Sequence, residues 1–340
     1  MPEKVAQISN GKTSHYFKGT SLPCNNTVAS NLSCNKYFLR RLLKEENLPA
    51  PRTITLRHPA AWQTVLKGSL RFPLVVKPIN ASHANGASLN IITPDELQRA
   101  VARAFAYVRK YKQGNRVLVE EYFAGHDLRL LVVGNHVVSV VKREPAYVIG
   151  NGHGTIRQLI HAFNSEWHSS IKYDFPQCPI PIDSEVTRCL SRNHLTLNSV
   201  LPTGTKTCLR WNANVSTGGR AIDITDQIHP RIKSLAVHIA KLSHLKIGGV
   251  DLLCKNPASS DVSSANVVIL EINDSPGLDI HHFPFQGIGQ NVSSDILNYI
   301  FDRPKNRKKH VVEDLLKDLR VEPIIPANEF ITPVSFSKGA

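Results

Sequence analysis

Long hydrophobic runs are missing from this 340-residue chain. No apolar stretch approaches the roughly 18 residues that a membrane span needs, and Met1 to Asn10 holds no apolar segment of signal-peptide type. The expectation is a cytoplasmic protein with no membrane contact. Paired cysteines are missing as well. The six cysteines (Cys24, Cys34, Cys178, Cys189, Cys208 and Cys254) show no Cys-x-x-Cys and no regular spacing, which excludes a disulfide framework or a zinc site of the usual pattern and leaves reduced thiols. No internal repeat is visible. With 41% hydrophobic and 20% charged residues, neither disorder nor a coiled coil describes the whole chain. At roughly 150 residues per domain, the length implies about two packed units. What the chain has in excess is positive charge, a formal +14. Such an imbalance speaks to association rather than architecture, and nucleic acid, acidic peptides and nucleotide phosphates are all candidate partners.

Residues 1–30 are polar and without a clear period, and are expected to form a loosely packed arm. Residues 31–302 read as the organised chain. Asn35 to Leu43 is an amphipathic helix that stops before Pro49 and Pro51. Phe72 to Pro78 (FPLVVKP) is a short buried strand leading into a loop from Ile79 to Ala87. Thr93-Pro94-Asp95-Glu96 combines an N-cap, a proline at the first helical position and a glutamate three residues after the cap. Leu97, Ala100, Val101, Ala104, Phe105 and Val108 continue at helical spacing. Strands follow at 116–121, 128–133 and 136–141, the last two joined by the hairpin signal Gly134-Asn135. Helices are read at 155–164, 184–192 and 229–244 and closing strands at 247–253 and 267–273, and the segment 294–301 is expected to finish the fold. Beyond Asp302 the composition turns to a basic cluster, Arg303 to His310, and a Pro-rich end, so 303–340 is expected to be an appendage. Helices and strands mixed in this order favour an α+β fold over a strictly alternating doubly wound sheet.

Chemistry concentrates at strand ends. Asp251 lies in GGVDLL, and Glu271 and Asn273 in VVILEIN, where alternation sets residues two apart on one face. If the two strands are neighbours, the three make an all-oxygen cluster of the kind magnesium prefers, completed by substrate phosphates. A solvated acidic strand end is the plain alternative. Lys77, directly after the buried LVV, is explained by an anionic phosphate beneath the following loop, where Asn80 to Gly86 could act as a cover. Lys36 alone is indistinguishable from a surface lysine. Glu120-Glu121-Tyr122-Phe123 precedes a turn ending in Asp127, an arrangement suited to an adenine slot with a carboxylate for ribose hydroxyls, or to an ordinary strand and turn. Arg210 to Gly219 is rich in small and hydroxylated residues that let backbone amides approach an anion, with an arginine beside them. The pair His281-His282 projects in different directions, and a substrate-pocket or core role suits it better than a transition metal.

In their order along the chain, NKYFLRRLLKEENLPAPR, PLVVKP, VLVEEYFAGHDLRLLVVG, REPAYVIGNGHGTIRQLI, LRWNANVSTGGRAIDITDQIHP, GGVDLL and VVILEINDSPGLDIHHFP resemble the ATP-grasp module shared by cyanophycin synthetases and fused bacterial glutathione synthetases. The resemblance covers about residues 22–302. It implies an ATP-grasp fold with ATP between two α+β subdomains, the small one near 73–142. It also implies an ATP-dependent, ADP-forming carboxylate-amine ligase that joins an amino acid or short peptide to a second amine through an acylphosphate. By the same resemblance Lys36, Lys77 and Gly86 bind ATP phosphates, Glu120, Tyr122 and Phe123 surround adenine, and Asp127 holds ribose. Asp251, Glu271 and Asn273 hold Mg2+ (or Mn2+), and Arg143, Arg210 and Asn214, with Arg129, support the transferring phosphoryl group. A homo-oligomer is expected.

There are departures from the pattern. Ala84 stands where the phosphate loop usually has its first glycine, Asn35 and Asn151 replace frequent aspartates, and 167–179 lacks the glycine and charged residues often found in that insert. These changes bear on substrate identity. Neither the second ligase domain of cyanophycin synthetase nor the glutamate-cysteine ligase domain of the fused enzymes is present in the sequence, which reads as a stand-alone module. The rival reading, carried by the net charge and the cluster at 303–310, is a degenerate nucleotide fold that holds RNA or an acidic polymer; steep salt dependence of binding would mark it. An acidic polymer or protein is also the expected partner of that cluster.

Overall fold

The computed structural model describes residues 5–80, 85–112, 114–169, 178–302 and 320–323. Ala84, most of the insert at 167–179 and the basic cluster at 303–310 lie outside the described residues.

The chain opens with β1 (Val5–Ser9) and β2 (Ser14–Lys18), then α1 (Thr27–Ser33) and α2 (Lys36–Glu45). The side chain of Asn35 caps α2 by accepting from the amides of Tyr37 and Phe38, both at 3.1 Å. Leu39 and Leu43, on one face of α2, are fully buried and lock the helix onto the main core. Truncation of such a leucine costs about 2–5 kcal/mol.

A four-stranded sheet follows, built from β3 (Thr53–Leu56), β4 (Leu74–Pro78), β5 (Ser88–Ile91) and β6 (Val117–Glu121), with α3 (Trp62–Lys67) and α4 (Pro94–Lys110) packed on it. The expected cap of α4 is present, with the Thr93 hydroxyl accepting from the Glu96 amide at 3.2 Å. This sheet runs over 53–121, which shifts the small subdomain from the expected 73–142. The next strands, β7 (His126–Val133) and β8 (His136–Glu144), belong to a different sheet. Period-two alternation tells a strand which faces it has but not which sheet it joins.

After β8 the chain forms β9 (Tyr147–Ile149), α5 (Ile156–Ser169), α6 (Ser184–Arg192) and β10 (Lys206–Cys208), whose apolar residues, Ile156, Ile160, Val186 and Leu190 among them, form a third core that a two-unit reading does not contain. It returns as β11 (Arg220–Asp223), α7 (Pro230–Leu242), β12 (Ile247–Cys254), β13 (Val267–Asn273), the short α8 (Asp279–His282) and α9 (Val292–Ile300). The central sheet has the order β11-β8-β7-β12-β13, antiparallel throughout. Leu128, Leu130, Val132, Val140, Val250 and Leu252 face α2 and α7. Alternation therefore turns Asp127, Arg129, Arg143 and Asp251 to the opposite side.

Finally, β14 (Arg320–Pro323) pairs with β1, closing a three-stranded sheet β14-β1-β2. Residues 5–30 are thus packed on the body of the protein, in place of the loose arm expected for 1–30. The Asn25 side chain bonds the backbone at Lys246, Ile247 and Asp274, and Ala29 is buried in the main core. Among the described residues no helix is long and apolar enough to cross a membrane.

Candidate active site

A cleft of about 910 Å3 lies between the small subdomain and the polar face of the central sheet. That volume is within the range of small-molecule sites. Lys77, Glu120, Tyr122 and Phe123 line one side. Asp127, Arg129, Arg143, Asp251, Glu271 and Asn273 line the sheet side, with Lys36 from α2 and Trp211 to Ser216 at the remaining margin.

The strand register explains the sheet side. Glu271, Asp251 and Arg129 stand abreast on β13, β12 and β7, and Asp127 stands opposite Arg143 on β8. One irregularity makes this possible. Between β12 and β13, Asp251 pairs with Glu271 but Leu252 pairs with Ile269, so Leu270 is an extra residue, a β-bulge. Val267 and Ile269 point into the core, and strict alternation would send Glu271 after them. Beyond the bulge, Ile272 takes the core side, and Glu271 and Asn273 turn to the cleft.

The charges are closely paired. Arg129 donates to both oxygens of Asp251 at 2.7 Å, and Arg143 reaches the same carboxylate at 2.9 Å. Burial of Asp251 would raise its pKa, but the two guanidinium groups hold it well below the ordinary range. Arg143 also bonds Asp127 at 2.8 Å. Burial raises the Asp127 pKa in spite of that partner. Lys36 Nζ lies 3.1 Å from Glu271. Across the cleft, Glu120 is 2% exposed and is shared by Lys77 and Arg40, each at 2.7 Å. Glu120 is held down to about 2 despite burial, while burial brings Lys77 down to about 8 against the opposing pull of Glu120.

Among the described residues no group of three or more His, Cys, Asp or Glu is placed to hold a metal. Two carboxylates and an amide remain, and that residue set is of the kind magnesium takes, with its other ligands from water and phosphate; Glu271 and Asn273 lie at the cleft, while Asp251 would exchange a guanidinium contact of Arg129 or Arg143 for the metal. The Asn273 Nδ2 is buried without a partner, as is that of Asn214 on the cleft margin. An unsatisfied amide at each place suits a polar ligand. The lysines, the aromatic pair Tyr122 and Phe123, and the volume fit a nucleotide.

Three expected residues sit elsewhere or act otherwise. Arg210 does not line the cleft. It donates to Asp183, the cap of α6, at 3.1 and 2.9 Å, and to Glu185 at 2.9 Å, and is 5% exposed. Residue type placed it beside an anion; the anions are the protein's own. Gly86 is absent from the cleft lining. Its φ of +69° and its packing against Tyr107, where a Cβ would come within 2.9 Å, explain the glycine locally. Glu120 has both carboxylate oxygens committed to Lys77 and Arg40, so its side chain serves these cations before any base. His281 is fully buried, its Nδ1 2.7 Å from Ser139 Oγ, the core one of the two roles left open for it.

Sequence reading passed over Arg40, although it lies one helical turn from Lys36, and over the contacts of Trp211. That ring is flanked by the guanidinium groups of Arg188 at 4.3 Å and Arg192 at 5.5 Å. The same arginines donate to the carbonyls of Leu89 and Asn90 on β5 at 3.0 and 3.1 Å, and Arg192 also pairs with Glu96.

Two family profiles match the chain: D-ala D-ala ligase C-terminus over residues 42–158 and RimK-like ATP-grasp domain over 198–300. A solved structure, the bifunctional glutathione synthetase from Pasteurella multocida, superimposes with a TM-score of 0.60 at 22% identity, covering 89% of this chain and 41% of that one. The chain has the ATP-grasp fold. In sequence this ATP-grasp chain is similar to cyanophycin synthetase of Trichormus variabilis, 33% identical over 297 residues, which are 87% of this chain and 32% of that protein. It is also similar to the glutathione biosynthesis bifunctional protein GshAB of Clostridium perfringens, 29% identical over 303 residues, 88% of this chain and 38% of that one. The ATP-grasp chain spans about a third of the length of these curated relatives.

Proposed function

We propose that the protein is an ATP-dependent ligase that joins a carboxylate of an amino acid or short peptide to an amine, forming ADP and phosphate. The observation that carries this reading is the charge row Glu271–Asp251–Arg129, with Arg143 beside it, in a cleft that also presents Lys77 and Lys36. The similarity to cyanophycin synthetase and GshAB supports the same chemistry.

In this reading Lys36 and Lys77 attract the phosphates, Tyr122 and Phe123 cover adenine, and Asp127 meets the ribose hydroxyls. Asp251, Glu271 and Asn273 would hold Mg2+, which when bound would neutralise phosphate charge. Arg143 and Arg129 lie beside those carboxylates and stabilise the transferring phosphoryl group, and the unpaired amide of Asn214 faces the same reaction centre. The substrate carboxylate takes the γ-phosphoryl of ATP, giving an acylphosphate and ADP. The amine then attacks the acyl carbon, loses a proton and displaces phosphate. Positioning and charge account for most of the rate, and no serine or cysteine nucleophile enters.

The test is ADP release with Mg2+ and ATP against the twenty amino acids and a set of dipeptides, singly and in pairs. Release that requires one particular acid and is completed by one particular amine is the expected result. A purified, folded protein that binds no nucleotide and releases no ADP with any pair would overturn the proposal.

A further inference from the structure

Arg40 belongs to none of the expected site residues and does not line the cleft. It is 8% exposed, and all three of its guanidinium nitrogens are used. Nε donates to Glu120 Oε1 at 2.7 Å, Nη1 to the Ile269 carbonyl at 3.2 Å, and Nη2 to the Leu270 carbonyl at 3.1 Å. The other oxygen of Glu120 receives Lys77 at 2.7 Å. Leu270 is the bulge residue whose insertion turns Glu271 to the cleft.

We propose that Arg40 is a positioning residue for nucleotide binding: it gives the Lys77–Glu120 pair a net positive charge toward the cleft and fixes that pair against the bulge that presents Glu271. The proposal rests on the nucleotide reading given above. Lys77 and Glu120 by themselves sum to zero charge and offer a polyphosphate little attraction. With Arg40 the buried cluster sums to +1, and Lys77 can meet a phosphate without leaving Glu120 unpaired. The carbonyl of a bulge residue lacks its place in the ladder, and an unpaired buried carbonyl is costly. Arg40 supplies that bond, so one side chain connects β6 of the small subdomain to β13 of the central sheet.

The charged groups facing Lys77 are Glu120 on β6 and Arg40 and Lys36 on α2. Burial is the largest cause of the fall of Lys77 to about 8, and Arg40 adds to it. Lys77 loses its charge above that pH, so nucleotide affinity is expected to decline there. Arg40→Met removes a like charge and leaves Glu120 to Lys77 alone; both changes favour the charged amine. The alkaline decline should then move up by about one pH unit, while affinity at neutral pH falls about tenfold with the lost net charge.

The measurement is calorimetric ADP binding from pH 6.5 to 10 for wild type, Arg40→Met, Arg40→Lys, Glu120→Gln and Lys77→Ala, with thermal melting of each. Arg40→Lys keeps the charge but cannot serve all three acceptors, so it should recover affinity and the wild-type pH decline while melting lower. Glu120→Gln should move the decline to lower pH, opposite to Arg40→Met. If Arg40→Met fails to fold, Arg40→Gln, neutral but still able to donate a hydrogen bond, takes its place with the same upward move of the decline expected. Equal losses in Arg40→Met and Arg40→Lys with an unmoved decline would reduce Arg40 to a structural residue and overturn the proposal. Normal binding by Arg40→Met with weak binding by Lys77→Ala overturns the role of Arg40 alone. Normal binding by Lys77→Ala overturns the nucleotide reading beneath it.

Discussion

Glu271→Gln is expected to lower metal-dependent ADP formation about 100-fold or more, the scale on which removing a preorganised charge partner of a transferring group acts. Melting should be unchanged. The side chain is 31% exposed, and its contacts, Lys36 at 3.1 Å and the neighbouring Asp251 carboxylate, lie at the cleft rather than in the core. The change also removes the charge that Glu271 sets against Lys36, so nucleotide affinity without metal should hold or rise while the magnesium concentration needed for half-maximal rate increases. Titrating magnesium at fixed ATP separates the two effects. Near-normal turnover with an unaltered magnesium requirement would remove Glu271 from the metal set.

Arg210→Met is the second large effect, and it falls on stability. Breaking a buried ion pair by deleting one partner costs about 3–5 kcal/mol, and the partial exposure of Asp183 and Glu185 places this case near the lower end. For a protein of this size the melting temperature should fall by roughly 4–6 °C. In protein that remains folded, the rate of ADP formation should stay close to wild type, because Arg210 faces the cap of α6 and not the cleft. Loss of turnover with unchanged melting would return Arg210 to the phosphoryl-transfer role expected of it by resemblance.

That case shows where sequence reading stops. The elements that carry their own signal were legible: α6 begins and ends as read, β13 spans Val267–Asn273 as read, and α4 follows from its cap and its apolar period. So was the gathering of Asp251, Glu271 and Asn273, although for an incomplete reason. Simple alternation would have put Glu271 on the face of Ile269; the bulge at Leu270 corrects it, and an extra residue leaves no trace in a hydrophobic pattern. Arg40 was invisible because its partners, Glu120 and Ile269, lie 80 and 229 residues away, and a basic residue on an amphipathic helix reads as its wet face. The N-terminal hairpin was missed because its strands alternate weakly and are completed by β14 from the far end of the chain.

The arrangement around Trp211 gives the molecule an optical gauge of its own shape. The arginines beside the indole, Arg188 and Arg192, are the same ones that hold β5, so a change in the spacing between α6 and the small subdomain should alter the electric field at the ring. Trp62, by contrast, packs against the small subdomain's core. Any substrate that changes the grip should shift Trp211 emission, and Trp211→Phe should abolish that signal. Stopped-flow fluorescence can then time the motion of the cleft without an attached dye, and before the identity of either substrate is known.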